Sequence, residues 1–379
     1  MENNSFWSRE FSIYLDLIRF SAALTVFLVH ASFDRFHGAW LHIDLIGNHA
    51  YEAVMVFFVL SGLVISYVVD VKDRHWTDYT LNRMARLYSV AIPALILTAL
   101  LDYIGSNFSP DQYSDYCCQN SYPLLRLMIN ALFVNELWFE SVRPFSNAPY
   151  WSVGFEAWYY ILFAFVMYTQ GRLRVALVVV GTLIVGPRIV LLAPVWLMGV
   201  AVYYYTKRKR LSEQVGWFLF LAFFAAYGLS SYFDLNSFFR EAGIELLGKD
   251  SINMLMWVRV PYAWMIGAIV AMNFIGFFAI SHRFSILSAR FGRLICYLAG
   301  ITFSLYLFHY PILQFITALT ESISLSFRGE LIVLVTLCSV WLLGLVTEKK
   351  KHVVRSLIVR VIYFFPTGRK LFKRSMPSD

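Results

Sequence analysis

The stretch YLDLIRFSAALTVFLVHASF, residues 14–33, is long and apolar enough to cross a bilayer, yet it carries Arg19 and His30. A membrane-spanning helix needs about 20 mostly apolar residues. Charged side chains inside a bilayer cost at least about 2.5–3.5 kcal/mol each, so those that are kept there tend to serve function. The stretch therefore predicts a membrane-spanning helix with functional side chains.

The spacing of Arg19 and His30 places both side chains on one face of this helix. At about 100° and about 1.5 Å per residue, they lie roughly 16 Å apart along the helix axis. With the N-terminus in the cytoplasm, Arg19 lies near the inner end and His30 in the outer half. This suits a phosphate-bearing donor inside and a proton transfer deeper in the membrane. The alternative is a snorkelling arginine and a packed, hydrogen-bonded histidine.

The composition of the whole chain extends this interpretation. Of the 379 residues, 59% are hydrophobic, 18% are aromatic and only 15% are charged. An ordinary soluble domain is about half apolar and about a quarter charged. The composition therefore excludes a soluble domain and predicts a protein with many membrane spans.

The formal net charge of +8 does not indicate nucleic-acid binding, because the basic residues fall in short runs between apolar stretches. Such runs, among them Arg172 with Arg174, 207–210 and 349–351, are what the positive-inside rule predicts for cytoplasmic loops. The four cysteines form no CxxC and show no metal-ligand spacing, so we predict neither a disulfide framework nor a metal site.

Apolar stretches along the chain predict an all-α membrane protein with about ten spans. The predicted spans are 14–33, 51–69, 87–104, 151–169, 175–187, 189–206, 215–233, 259–280, 297–318 and 330–347. The fifth and sixth of these also fit one broken helix followed by a span, because Pro187-Arg188 and Pro194 interrupt them.

The charges of the loops predict the orientation. The stretches 72–86 and 281–293 are basic and should be cytoplasmic, whereas 105–121 has acidic but no basic residues and should face outward. Ten spans with both termini inside satisfy all three assignments. If the polar-containing segment 122–139 also spanned, the basic residues at 172–174 would lie outside, so we predict a re-entrant or interfacial segment there.

The chain divides into a transmembrane domain over 1–348 and a basic tail over 349–379. In the tail, basic residues alternate with Val, Ile and Phe. This pattern fits an amphipathic helix on an anionic cytoplasmic leaflet, and equally a loose basic tail.

Two further motifs carry groups suited to chemistry, one around Glu156 in the outer half of the membrane and one around Ser61 in the second span. Glu156 closes the motif that begins at Trp151 and Ser152, at a depth comparable to His30. Its carboxylate would orient the imidazole or accept a hydrogen bond from a substrate hydroxyl, or it is a first-turn glutamate favoured by the helix dipole. Ser61 precedes Gly62 in the second span, where the small pair favours close helix packing over a nucleophilic role.

Arg83 and Arg86, at the start of the third span, share a face at i, i+3 and are suited to grip a pyrophosphate. Equally, they are typical of any cytoplasmic helix end. His309 precedes Pro311 in the ninth span, where the proline kinks the helix and the histidine packs or hydrogen-bonds.

Together, these motifs resemble the acyltransferase-3 family over nearly the whole chain. Arg19 and His30 match its basic residue followed by ten others and a histidine, and residues 57–63 look like its FFVLSGF. Residues 83–87 look like its RxxRL and residues 151–156 like its WSLxxE. Residues 303–311 are similar to its YLxHxP segment, and Glu348 is similar to the glutamate that closes its last helix. Val153-Gly154 and Lys349 depart from the family pattern and leave the fine substrate contacts open.

The resemblance implies O-acylation, often O-acetylation, of bacterial cell-surface glycans such as O-antigen or exopolysaccharide at the inner membrane. Acetyl-CoA or another acyl-CoA would be the donor, with no permanently bound cofactor, and the partners would be a glycan or lipid-linked saccharide and membrane lipids. The implied roles are donor phosphate binding by Arg19, Arg83 and Arg86, general base or transient acyl carrier for His30, orientation by Glu156, and substrate contacts from Trp151, Ser152, Ser61 and His309.

The competing interpretation is a transporter or flippase of a glycan or small solute. Intramembrane arginine, histidine and glutamate also mark solute and proton pathways, and proline-interrupted segments resemble the broken helices of transporters. The sequence shows no inverted repeat, which favours the enzyme.

Overall fold

The computed structural model describes residues 7–37, 39–41, 49–114, 122–248, 259–323 and 326–364. Within these ranges the regular structure is helical, and no strand is present. The helices are α1 Arg9–Ala31, α2 Ala50–Val71, α3 Trp76–Phe108, α4 Pro110–Ser114, α5 Pro123–Ala131, α6 Trp151–Tyr168, α7 Gly171–Val185, α8 Pro187–Arg208, α9 Glu213–Tyr232, α10 Leu235–Leu247, α11 Val260–Ile280, α12 Ser285–Ala299, α13 Thr302–Leu319, α14 Arg328–Val346 and α15 Lys351–Phe364.

Seven helical segments in the described ranges are long and apolar enough to cross a membrane. They are α1, α2, α3, α8, α9, the consecutive pair α11–α12 and the consecutive pair α14–α15. The predicted spans 151–169, 175–187 and 297–318 correspond to α6, α7 and α13. These three helices are not among the segments that are long and apolar enough to cross a membrane, so the count of ten is not confirmed. α7 has only 15 residues. α6 and α13 carry polar side chains, and in α13 these are mostly buried against other helices, which makes them tolerable inside a membrane.

α2 and α8 pack closely at two glycines. A Cβ atom on Gly62 would lie 2.0 Å from the carbonyl oxygen of Trp196, and one on Gly199 would lie 1.9 Å from that of Val59. Neither position accepts a larger residue without backbone movement. The packing role predicted for the Ser61-Gly62 pair is therefore what the structure shows for Gly62.

The segment predicted to be re-entrant or interfacial forms the short helix α5 and a run of turns. α5 has nine residues, about 14 Å of helix, which is too short to cross a hydrocarbon core of about 30 Å. A buried ion pair holds the turns against the start of α8, with Arg188 Nη1 3.4 Å from Glu136 Oε2. Arg188 also donates to the carbonyl oxygen of Glu140 at 2.7 Å. The segment is thus an integral part of the bundle.

α13 is the most enclosed of the helices around the site. Pro311 lacks an N–H group, so the carbonyl oxygen of Leu307, four residues earlier, loses its partner within the helix. The Nδ2 atom of Asn147 donates to this oxygen at 2.9 Å. The turn before α6 therefore stabilises the proline position of α13, and this contact joins two predicted site segments.

The basic tail begins with helix α15, and residues 365–379, including Lys373-Arg374, lie outside the described residues. Arg355 fixes α15 against α3, because it donates to Asn82 Oδ1 at 3.0 Å and to Asp78 Oδ1 at 3.2 Å. The predicted loop 105–121 is helical in its first part, and 115–121 lie outside the described residues as well.

Candidate active site

Arg19 and His30 both face α13, as the spacing on α1 predicts. Arg19 lines a cavity to which α13 contributes Thr302, Phe303 and Tyr306. His30 lies against His309, further along the same helix. One face of α1 therefore runs along one face of α13, with the guanidinium at one level and the imidazole at another.

The cavity beside Arg19 has a volume of about 70 Å³ and is lined by three arginines. Its polar lining consists of Arg19, Ser61, Arg83, Arg86, Ser152, Glu156, Tyr160, Thr302 and Tyr306. Five helices, α1, α2, α3, α6 and α13, contribute to it. The structure thus brings together most of the residues that the sequence predicts for the site.

Arg83 and Arg86 approach Arg19 because they lie inside α3, which begins before the predicted span 87–104. The helix starts at Trp76, so Arg83 and Arg86 lie within α3 instead of in a loop before it, and they face the bundle. Arg19 Nη1 lies 2.8 Å from Asp16 Oδ1, and Arg83 Nη2 lies 3.8 Å from Asp73 Oδ2. These acidic partners hold the guanidinium groups beside the cavity without enclosing them fully.

Glu156 is fixed by hydroxyl groups and not by the imidazole. Its Oε1 atom accepts a hydrogen bond from Ser61 Oγ at 2.9 Å and another from the hydroxyl of Tyr160. Trp196 Nε1 donates in turn to Ser61 Oγ at 3.2 Å. Arg86 interacts electrostatically with the same carboxylate. Glu156 therefore faces the arginine cavity. The sequence predicted instead that it would orient His30 or the acceptor.

Trp151 and Ser152 lie at the start of α6. Ser152 Oγ lies 2.7 Å from the Tyr306 hydroxyl, which donates to the carbonyl oxygen of Pro149 at 2.9 Å. The Trp151 ring packs edge-on against Phe155. Ser152 lines the cavity, whereas Trp151 packs beside it.

His30 and His309 form a hydrogen-bonded pair that fixes the tautomer of each ring. His309 Nδ1 lies 2.8 Å from the carbonyl oxygen of Leu305, so this nitrogen carries the proton and donates. The Nε2 atom of neutral His309 is then an acceptor, and it lies 2.9 Å from His30 Nδ1. His30 therefore donates from Nδ1 and keeps a lone pair on Nε2, the form a general base needs.

Aromatic rings and one arginine surround this histidine pair. The ring of Tyr310 stands edge-on to His30 at 5.1 Å between centroids. Arg35 donates to the Tyr310 hydroxyl, and its guanidinium lies 4.6 Å from the ring of Phe36. A cation near the imidazole disfavours a second positive charge and so favours the neutral ring.

The sequence matched Glu348 to the family pattern without giving it a role in the site, and it did not identify Lys351. Glu348 Oε2 accepts a hydrogen bond from the backbone N–H of Ser304 at 3.0 Å, at the start of α13, and it interacts with Arg19 and Arg86. Lys351, at the start of α15, interacts with the same arginines. The signal was present in the basic run 349–351, which we interpreted only as a topology marker.

The residues around Arg19 and those around His30 lie at adjacent depths inside the helix bundle. We call the region around Arg19, Arg83 and Arg86 the arginine cavity and the His30–His309 contact the histidine pair. Tyr306 lines the cavity and lies one turn before His309 on α13, with ring centroids 6.5 Å apart. The arrangement offers anion binding at one level and proton abstraction at the other.

One comparison bears on what this interior does. A family model described as an acyltransferase domain matches residues 12–348, a range that contains the arginine cavity and the histidine pair. Neither a curated protein nor a solved structure matches the sequence significantly. The chain is therefore a multi-pass membrane protein that belongs to the acyltransferase-3 family, and membership implies acyltransferase activity.

Proposed function

We propose that the protein is a membrane O-acyltransferase of the bacterial inner membrane. It transfers an acyl group, most simply acetyl, from cytoplasmic acyl-CoA to a hydroxyl of an extracytoplasmic glycan or lipid-linked saccharide. The observation that supports this best is the shared face of α1, which has a guanidinium in the arginine cavity and an imidazole in the histidine pair.

The arginine cavity is suited to the donor's phosphates. Three guanidinium groups line it, and guanidinium binds phosphate oxygens in bidentate geometry. Glu156 and Glu348 offset part of the positive charge, so the cavity does not hold several unbalanced cations. Reaction at the histidine pair then requires the long pantetheine arm of CoA to carry the thioester along α13 past Tyr306.

The histidine pair supplies the base. The lone pair on His30 Nε2 removes the proton from the acceptor hydroxyl while the hydroxyl oxygen attacks the thioester carbonyl carbon. The tetrahedral intermediate collapses with cleavage of the C–S bond, the CoA thiolate leaves, and the ester is formed. In a two-step alternative, the same nitrogen attacks first and carries the acyl group until the hydroxyl arrives.

The base is tested by His30→Ala, with His282→Ala as the matched control because His282 is 59% exposed and outside the site. A general base contributes about 10²–10⁴-fold to the rate. We expect thioester consumption by the purified protein to fall by that factor in His30→Ala and to stay unchanged in the control. Unaltered consumption in a correctly folded His30→Ala protein would refute the assignment.

The donor site is tested separately with Arg19→Gln and the exposed Arg172→Gln as control. Charged hydrogen bonds contribute about 1.5–3 kcal/mol each, so we expect KM for acyl-CoA to rise about tenfold or more in Arg19→Gln only. A fall in kcat at constant KM would place Arg19 in the chemistry and not in donor binding.

The acceptor is identified by mass spectrometry of surface glycans from cells with and without the gene. A difference of one acyl group per repeat identifies donor and acceptor together. A transporter would instead change the amount of surface glycan without consuming thioester, which separates the two interpretations.

A further inference from the structure

A second cleft lies on the other side of α1, away from the arginine cavity. It has a volume of about 180 Å³ between α1 and α9, with α2 and α11 forming its floor. Ile18 and Thr25 line it from α1, and they point about 100° or more away from Arg19 around the helix. The exposed Ser21 also lines it, so the cleft opens on the face of the bundle that meets lipid.

The walls of the cleft are apolar over most of its length. α11 contributes Ile266, Ile269, Val270 and Phe274, and α9 contributes Phe223. From Ile266 to Phe274 the helix advances about 12 Å. An elongated apolar slot that opens sideways to lipid is suited to an alkyl chain.

One end of the slot holds a buried carboxylate. Glu52 is 4% exposed, and its Oε1 atom accepts a hydrogen bond from the Tyr262 hydroxyl at 2.8 Å. His49 also lines the cleft, with its Nδ1 atom 3.9 Å from Oε1, but the Oε2 atom has no hydrogen-bond partner among the described residues. A buried carboxylate oxygen without a donor is rare in a native protein, because a charged group is costly to desolvate. This atom indicates a ligand with a positively charged or hydrogen-bond-donating group.

Aromatic rings and a second charge surround the carboxylate end. Tyr227 lines the cleft beside Glu52, and aromatic faces attract ammonium groups. Arg259, at the start of α11, places its guanidinium 5.2 Å from the ring of Tyr51, the neighbour of Glu52. Arg259 lies outside the cleft lining, but it and Glu52 both act electrostatically on Tyr51. This end of the cleft therefore has an anion and a cation beside one residue, which complements a zwitterion.

We propose that this cleft binds a membrane aminophospholipid, with one acyl chain in the slot, the ammonium group at Glu52 and the phosphate toward Arg259. The site is separate from the proposed acyl-transfer site and does not depend on it. The bound lipid would fill the gap between α1 and α9 and support the back of the helix that carries Arg19 and His30.

The test uses delipidated protein in detergent and native mass spectrometry with two probes that have the same acyl chains, phosphatidylethanolamine and phosphatidylglycerol. The matched variants are Glu52→Gln and the exposed Glu245→Gln. We expect wild type and Glu245→Gln to retain phosphatidylethanolamine about tenfold better than phosphatidylglycerol, and Glu52→Gln to lose this preference. Equal retention of both lipids by all three proteins would overturn the proposal.

Two further variants keep the test valid if Glu52→Gln does not fold. Ser21→Trp blocks the mouth at an exposed position, and Leu17→Trp adds the same ring to α1 at an exposed position outside the cleft. Only Ser21→Trp should lose the lipid. Asn273→Leu makes the inner end of the slot apolar, where Asn273 Nδ2 also has no partner among the described residues. Retained lipid in this variant supports an alkyl chain, and lost lipid would mean that the cleft holds a polar ligand instead.

Discussion

The His30 imidazole is held by a second histidine, and this contact decides which of its nitrogens faces a substrate. Because Leu305 fixes the proton of His309 on Nδ1, the proton of His30 also lies on Nδ1. His309 is thus a positioning residue in this interpretation, acting through His30. The sequence suggested that His309 contacts substrate, whereas its hydrogen bonds in the structure are with Leu305 and His30.

Substitutions of His309 separate positioning from packing. In His309→Gln the amide oxygen can still accept the His30 Nδ1–H, whereas in His309→Leu nothing can. Since a base in the wrong tautomer is ineffective, we expect kcat to fall by roughly 10²-fold in His309→Leu and by no more than about tenfold in His309→Gln. Steady-state thioester hydrolysis or transfer measures both. If packing alone matters, the apolar leucine should be tolerated better than glutamine.

At this scale the sequence predicted which residues matter better than it predicted their partners. Arg19 and His30 were found because charge in an apolar span is costly and because their spacing follows from helix geometry. The contacts of Glu156 with Ser61 and of His30 with His309 join positions 95 and 279 residues apart. No periodicity within a helix indicates such pairs, so only the packing of helices reveals them.

The contact between α2 and α8 is an element-scale requirement of the site, because Ser61 and Trp196 meet there. In Gly199→Ala the new Cβ atom would lie 1.9 Å from the Val59 carbonyl oxygen, so the helices must separate. Overpacking costs about 1–3 kcal/mol. We expect a lower midpoint of thermal unfolding in detergent and a weaker Ser61–Glu156 contact, seen as reduced turnover.

Gly228→Ala is the matched control for this variant. Gly228 lies in α9, and a Cβ atom there has nothing within 4 Å. Its unfolding midpoint should equal or exceed that of the wild type, because alanine restricts the unfolded chain more than glycine does. Equal losses in both variants would show that the α2–α8 spacing is not the cause.

Glu136 makes the turns after α5 sensitive to pH. Burial raises the pKa of Glu136 to about 7, and the hydrogen bond from Ser141 and the charge of Arg188 oppose this shift only in part. A carboxyl group whose pKa is higher in the folded state stabilises the fold below its ordinary pKa near 4.5, and this contribution is lost as pH rises through about 7.

We therefore expect the wild type to lose stability between about pH 4.5 and pH 7 through this group, by a few kcal/mol at most. Glu136→Gln removes the titration and should flatten that part of the curve. Thermal unfolding in one detergent at a series of pH values measures the slope, with the exposed Glu245→Gln as control. An unchanged slope in Glu136→Gln would assign the pH dependence to other groups.

The positions of the helices were mostly predictable, because each of the ten apolar stretches falls on a helix of the structure. The first and last residues of the helices were predicted less accurately. α3 begins at Trp76 instead of near residue 87, since the polar first turns of a helix leave no apolar signal. The helix α10 was not predicted, because Leu235–Leu247 is too short and too polar to resemble a span.

At the scale of the whole molecule, the arginine cavity and the histidine pair lie at different depths along α1 and α13. The first turns of α3, the first half of α1 and the turn after α14 supply Arg83, Arg86, Arg19 and Glu348. The end of α1 and the segment after it supply His30 and Arg35. The proposed transfer between compartments requires such a difference in depth, because donor and acceptor would then approach from different sides and meet inside the bundle.

Transfer across the membrane requires the arginine cavity to face the cytoplasm, as the basic loops predict, and this orientation can be measured directly. In a cysteine-free background, Arg74→Cys marks the exposed turn between α2 and α3, and Asp34→Cys marks the exposed segment after α1. A membrane-impermeant maleimide should label Asp34→Cys in cells with a permeabilised outer membrane, and Arg74→Cys only after the inner membrane is disrupted. The two positions act as controls for each other, since both are exposed and adjacent to helix ends. If Arg74→Cys is labelled first, the arginine cavity faces outward, cytoplasmic acyl-CoA cannot reach it, and a donor from the other side of the membrane is required.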